Sequence, residues 1–147
     1  MQLIKEFDNW YPLTEITRIK QKDSTGCGLA CVAMIVGAAY QDVRAQYIKQ
    51  KGKQPRSFGT TAHELLELIN TYDFIAEPFE DKYEWSDYEG VNIIGVFSSR
   101  PHWVVYIKID DVKYFIDPDS GLDIAYRYDF YRTKPIGDGV KILGPIS

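Results

Sequence analysis

The stretch "GCGLACVAMIVG", residues 26–37, narrows the folds open to this chain more than any other. Leu29, Ala30, Cys31, Val32, Met34 and Ile35 leave no polar stripe at helical spacing. A helix that is apolar on every side has to lie in the middle of a domain, covered by other elements. The spacing predicts this helix over 28–36, with Gly37 as its C-cap, since a glycine in the left-handed conformation ends many helices. Cys27 then falls at the helix N-terminus between Gly26 and Gly28. Two readings of it stand side by side. It is a small buried hydrophobe, or it is a nucleophile at the positive end of a helix.

The rest of the chain supplies what covers that helix. A short second helix is predicted over 41–49, and "KQKGKQPRSFG", 49–59, reads as a solvated basic loop. "TAHELLELINTY", 61–72, opens with a capping box, Thr61 with Glu64, and continues with Leu65, Leu66, Ile69 and Tyr72 at amphipathic spacing. His63, in its first turn, reads as a surface or capping histidine. The acidic aromatic segment "EDKYEWSDYEG" reads as a loop, and residues 1–20 as irregular. From residue 92 onward the pattern turns to β. "VNIIGVF" is a buried strand, "HWVVYIKI" and "VKYFID" form a hairpin around Asp110-Asp111, and "IAYRYDFYR" and "VKILGPI" are further strands. The class is α+β: an N-terminal helical half, with its buried helix packed on a C-terminal antiparallel sheet. No repeat or linker divides the chain, so one domain is expected over 1–147.

Composition removes several functions. The net charge is −4 over 147 residues and no basic stripe is evident, which argues against a nucleic-acid partner. No apolar run reaches membrane-spanning length, and the first residues lack the apolar core of a signal peptide, so a cytoplasmic protein without a membrane partner is expected. The two cysteines, Cys27 and Cys31, are four apart. On one helix their Cβ atoms sit roughly 5–6 Å apart, beyond the ~3.8 Å that a disulfide prefers. Two free thiols suit a reducing compartment. His63 and His102 lack ligand spacing to them, so no metal and no cofactor are expected.

The hairpin brings a histidine towards an aspartate. With Asp110 and Asp111 as the turn, Ile109 faces Val112, Tyr106 faces Phe115 and Val104 faces Asp117. Side chains alternate faces along a strand, so His102 shares the face of Asp117 as its diagonal neighbour. Trp103, Val105, Ile107, Tyr114 and Ile116 take the opposite face. Both faces are largely apolar, so the hairpin is buried, and a buried histidine and a buried aspartate each need a partner. They are either a polar pair that holds the sheet or part of a reactive centre.

The chemistry of a cysteine nucleophile needs this set of residue types. The thiolate is the reactive form, favoured by a helix N-terminus and a nearby imidazolium. His102 would hold the thiolate and then protonate the leaving amine. Asp117 would fix the ring's orientation and tautomer. Gln21, six residues before Cys27, could donate its side-chain amide to the developing oxyanion, together with the backbone N–H of Cys27. Gly26 and Gly28 would let a substrate backbone approach the sulfur. Trp103, beside His102, is a further candidate substrate contact.

In these pieces the chain resembles the papain-like cysteine peptidases that process double-glycine leaders, known as the N-terminal domains of bacteriocin-exporting ABC transporters. "QKDSTGCGLACVAMIVG" is similar to that family's glutamine, six-residue step, Cys-Gly and apolar helix. "FGTTAHELLELINTYDF" resembles its Gly-Thr-Ser segment and amphipathic helix, "PHWVVYIKI" its histidine strand, and "KYFIDPDSG" its Asp-Pro ending. The resemblance covers residues 21 to 121. It implies a papain-like fold, Cys27 as nucleophile, His102 as base and acid, Asp117 as orienting residue and Gln21 as oxyanion donor. It also implies cleavage after two small residues, typically Gly-Gly, in a protein or peptide substrate. The chain departs from the family at Gly26, where an acidic or polar residue is usual, and in having Gly-Thr-Thr for Gly-Thr-Ser.

With no exporter segment alongside, a stand-alone bacterial member is expected, acting as an interbacterial toxin or effector on an intracellular protein. A monomer is expected, with an immunity or inhibitor protein as a partner of that role. A free-standing leader peptidase is the alternative. A deamidase or acyl-transferase would share the acylation machinery, and a non-catalytic peptide-binding domain would have less reason to keep both Cys27 and His102.

Overall fold

The computed structural model describes residues 16, 19, 26–54, 60–79, 86–98, 100–109, 112–118, 126–127 and 135–145. Among the described residues, three helices precede all of the strands: α1 (Cys27–Val36), α2 (Tyr40–Lys51) and α3 (Ala62–Thr71). The strands are β1 (Phe74–Pro78), β2 (Gly90–Ser98), β3 (Arg100–Ile109), β4 (Val112–Ile116), β5 (Tyr126–Arg127) and β6 (Pro135–Pro145). They form one sheet in the order β1-β6-β2-β3-β4-β5, with every neighbouring pair antiparallel.

Helix α1 is buried from Cys27 through Ile35, as an all-apolar helix must be. Gly37 ends it in the left-handed region, φ 75°, and the N–H groups of Gly37 and Ala38 both donate to the Ala33 carbonyl. Helix α2 buries only Tyr40, Val43 and Tyr47, one narrow stripe at spacings of three and four. It runs on to Lys51 before Gly52 stops it, so the start of the expected basic loop, Lys49 to Lys51, is its last turn. Those lysines favour the negative end of the helix dipole. Helix α3 starts at the predicted capping box. Thr61 Oγ1 accepts the Glu64 N–H, and Glu64 Oε1 accepts the Thr61 N–H.

The β3–β4 hairpin has the predicted register: Ile109 pairs with Val112, Tyr106 with Phe115, and Val105 with Ile116. The turn residues Asp110 and Asp111 lie outside the described residues. Alternation splits the sheet's side chains. Val91, Ile93, Val105, Ile107, Ile116, Val140 and Ile142 join the helices in the main core. Ile94, Val96, Val104, Tyr106 and Phe115 form a second apolar cluster with Phe79 on the other face.

Two details of the strands differ from the sequence reading. Strand β1 was not foreseen and lies at the sheet edge against β6. It is five residues long, shows no period-two pattern and ends in Pro78, which an edge position tolerates. Strand β6 begins earlier than "VKILGPI", at Pro135. Of "IAYRYDFYR", Tyr126–Arg127 is described, and it is a strand. Within residues 1–20, Ile16 and Ile19 are described, in no helix or strand, and both pack against the main core.

Candidate active site

Strand β4 ends at Ile116, opposite Val105, so the ladder on that side of β3 stops before it reaches Trp103 and His102. The first turn of α1 meets β3 there. Cys27, the first residue of α1, is 6% exposed, and its Sγ accepts the backbone N–H of Trp103 at 3.4 Å. A donor that the sheet leaves unpaired is thus used by a sulfur. Gly26 occupies the N-cap without a side-chain cap bond.

Asp117 follows Ile116 directly, and its Oδ1 lies 2.7 Å from His102 Nε2. His102 is 9% exposed and Asp117 2%. Burial works against charge on the imidazole. Hydrogen bonds to Asp117 and Cys27, with electrostatic attraction to both, more than offset it and raise the ring's pKa from 6.5 to about 10. The ring therefore carries its proton at neutral pH. One turn below Cys27, burial pushes the Cys31 thiol well up, helped by the nearby Cys27 and Asp117. His63 is exposed and lies 3.3 Å from Glu67 on the surface of α3, the surface position foreseen for it.

Cys27, His102 and Asp117 thus meet at one place, drawn from the start of a helix, a strand and the residue that follows another strand. Gln21 lies outside the described residues. The side of Gly28 that a side chain would take is filled by the protein itself. A Cβ there would stand 2.3 Å from Thr60 Oγ1, 2.9 Å from Leu65 Cδ2 and 3.2 Å from Trp103 Cδ1. The Trp103 indole N–H donates to the Thr60 carbonyl at 2.8 Å.

Thr60 was given no role from the sequence. It is 6% exposed, and among the described residues its hydroxyl has no hydrogen-bond partner. The signal for it was the pair Thr60-Thr61 itself: one threonine caps α3, which leaves the other to be explained.

The model of the peptidase C39 family matches residues 15–133. No curated protein matches. Among solved structures, the peptidase domain of Streptococcus ComA, a bifunctional ABC transporter involved in quorum sensing, superposes with a TM-score of 0.67 at 17% identity, covering 86% of this chain and 96% of that one. A double-glycine-motif protease from an AMS/PCAT transporter, in complex with the leader peptide, superposes with a TM-score of 0.63 at 20% identity, over 86% of this chain and 89% of that one. The peptidase domain of Streptococcus mutans ComA gives 0.60 at 18% identity, over 84% and 96%. At such identities the structural likeness is one of fold, and the family match spans most of the sequence. The chain belongs to the peptidase C39 family and is a cysteine peptidase of papain-like α+β fold.

Proposed function

We propose that this peptidase cuts a peptide or protein after Gly-Gly, with Cys27, His102 and Asp117 as its catalytic triad and Gln21 as an oxyanion donor. The observation that carries the reading is the His102–Asp117 contact of 2.7 Å, made by the residue next to Trp103, whose backbone N–H meets the sulfur of the cysteine at the start of α1. Cys27 attacks the carbonyl of the residue before the scissile bond as the thiolate. The oxyanion that forms is met by the Gln21 amide and the backbone N–H of Cys27. As the tetrahedral intermediate collapses, the C–N bond breaks and the His102 imidazolium gives its proton to the departing amine. A water then attacks the thioester, His102 takes up its proton, and the acid leaves with Cys27 returned to its resting form. Asp117 holds the ring in orientation throughout.

The Gly-Gly preference draws on the neighbour described as a double-glycine-motif protease. That neighbour's complex with a leader peptide also favours maturation of a peptide over the effector role inside a rival bacterium. Both roles share the chemistry. The test is mass spectrometry of a Gly-Gly leader peptide, and of a bacterial lysate, after incubation with wild type and Cys27→Ala. New N-termini after Gly-Gly that require Cys27 are expected. A gain of about 1 Da at glutamine without cleavage would show a deamidase instead, and cleavage by Cys27→Ala would remove the nucleophile assignment.

A further inference from the structure

We propose that Trp103 is a positioning residue that holds the Cys27 sulfur in register with His102, anchored by Glu64 through the Thr60–Thr61 segment. This rests on the reading of Cys27 and His102 as nucleophile and base. Those two residues come from different layers, a helix and a strand, so something has to fix the layers against each other at this point. A misplacement of about 1 Å can cost a peptidase on the order of a hundredfold in rate.

Trp103 touches both sides. It follows His102 on β3, its backbone N–H donates to Cys27 Sγ at 3.4 Å, and its indole N–H donates to the Thr60 carbonyl at 2.8 Å. The acceptor is itself fixed. The next residue, Thr61, donates its N–H to Glu64 Oε1 at 2.9 Å, and the other oxygen of Glu64 accepts the Tyr47 hydroxyl at 3.0 Å. Tyr47 is 1% exposed and Glu64 7%. A carboxylate that only capped α3 would not need a buried tyrosine from α2. Glu64 ties α2, α3 and the Thr60–Thr61 segment into one unit, and Trp103 ties that unit to the cysteine. Gly28 lets the parts close, since any Cβ there would meet Thr60, Leu65 and Trp103. The indole N–H is engaged by the protein, which distinguishes this role from the substrate contact expected of Trp103.

The test pairs turnover of a Gly-Gly leader peptide with the rate at which iodoacetamide alkylates Cys27 in the folded protein. Trp103→Phe keeps a ring on the strand and removes the indole donor. kcat is expected to fall about tenfold, the effect of one lost hydrogen bond, with KM nearly unchanged. Cys27 alkylation should slow by a similar factor. A raised KM with unchanged kcat would make Trp103 a substrate wall and overturn the proposal. So would a lowered melting temperature with kcat and alkylation at wild-type values. If Trp103→Phe fails to fold, Glu64 answers instead. Glu64→Ala should lower kcat and alkylation, and Glu64→Gln, which keeps an oxygen for the Thr61 N–H, should restore both. Equal behaviour of the two Glu64 variants would overturn the anchor. Alkylation needs no turnover. Its slowing in Trp103→Phe would support the clamp even if wild type cut no Gly-Gly peptide, a result that would overturn the function alone.

Discussion

Helix α1 carries the same side chain in two consecutive turns, and the two sites differ in almost everything but the thiol. Cys27 begins the helix, where β4 has ended and the sheet has left a backbone N–H and an imidazole to face it. Cys31 sits one turn deeper at 0% exposure inside the main core, where burial pushes its thiol well up. On the proposed assignment, reactivity is decided by what the end of a strand leaves open, and not by the residue type. A thiol among aliphatic side chains is a small hydrophobe; the same thiol beside a protonated ring is a nucleophile.

The largest test of that contrast is loss of activity. Cys27→Ala should abolish cleavage and change stability little. His102→Ala should cost roughly 10²–10⁴-fold or more, since it removes the proton donor and the thiolate's partner together. Cys31→Ala should leave kcat near wild type. Steady-state kinetics on one Gly-Gly peptide separates them, and an inactive, well-folded Cys31→Ala would break the comparison. Gln21→Ala comes next. Losing one oxyanion donor typically costs about 2.7–4 kcal/mol of activation free energy, roughly a hundred- to a thousandfold, in kcat with KM little changed. A raised KM with intact kcat would make Gln21 a binding residue.

How far this site was legible in the sequence depends on how local each part is. The Thr61–Glu64 capping box and the glycine that ends α1 are decided by neighbours within a turn, and both are found where the pattern put them. The hairpin register needed only the position of its turn, and from it the proximity of His102 and Asp117 followed. The match of the Cys27 turn to that pair, across more than seventy residues, came through family resemblance and not through periodicity. Strand β1 was hidden because its pairing partner, β6, lies at the far end of the chain and "FIAEP" has no alternation of its own. The bond from Trp103 to Thr60 left no trace, since a backbone carbonyl accepts from whatever the fold brings to it.

The pH dependence sharpens the comparison from the stability side. The folded pKa of His102, about 10, lies above the 6.5 of an unperturbed imidazole. Its contribution to stability is therefore present in full below about pH 6.5 and is lost as pH rises through about 10. Melting temperatures of wild type should fall across that window more steeply than those of His102→Gln. Asp117→Asn, which removes the ring's charged partner, should move the fall to lower pH. Parallel curves for wild type and His102→Gln would mean that the ring is not held in its protonated form. The smallest effect belongs to the buried thiol. Cys31→Ala deletes one core atom and should cost about 0.5–1.5 kcal/mol in denaturant unfolding, as other single-atom deletions from cores do.

The most direct measurement is brief alkylation of the folded protein with iodoacetamide at neutral pH, followed by peptide mapping, in wild type and in His102→Ala. The predicted result is modification of Cys27 with Cys31 untouched, and a marked slowing at Cys27 when the imidazole is gone. Preferential modification of Cys31, or a Cys27 rate indifferent to His102, would contradict the assignment of Cys27 and His102 as the reactive pair.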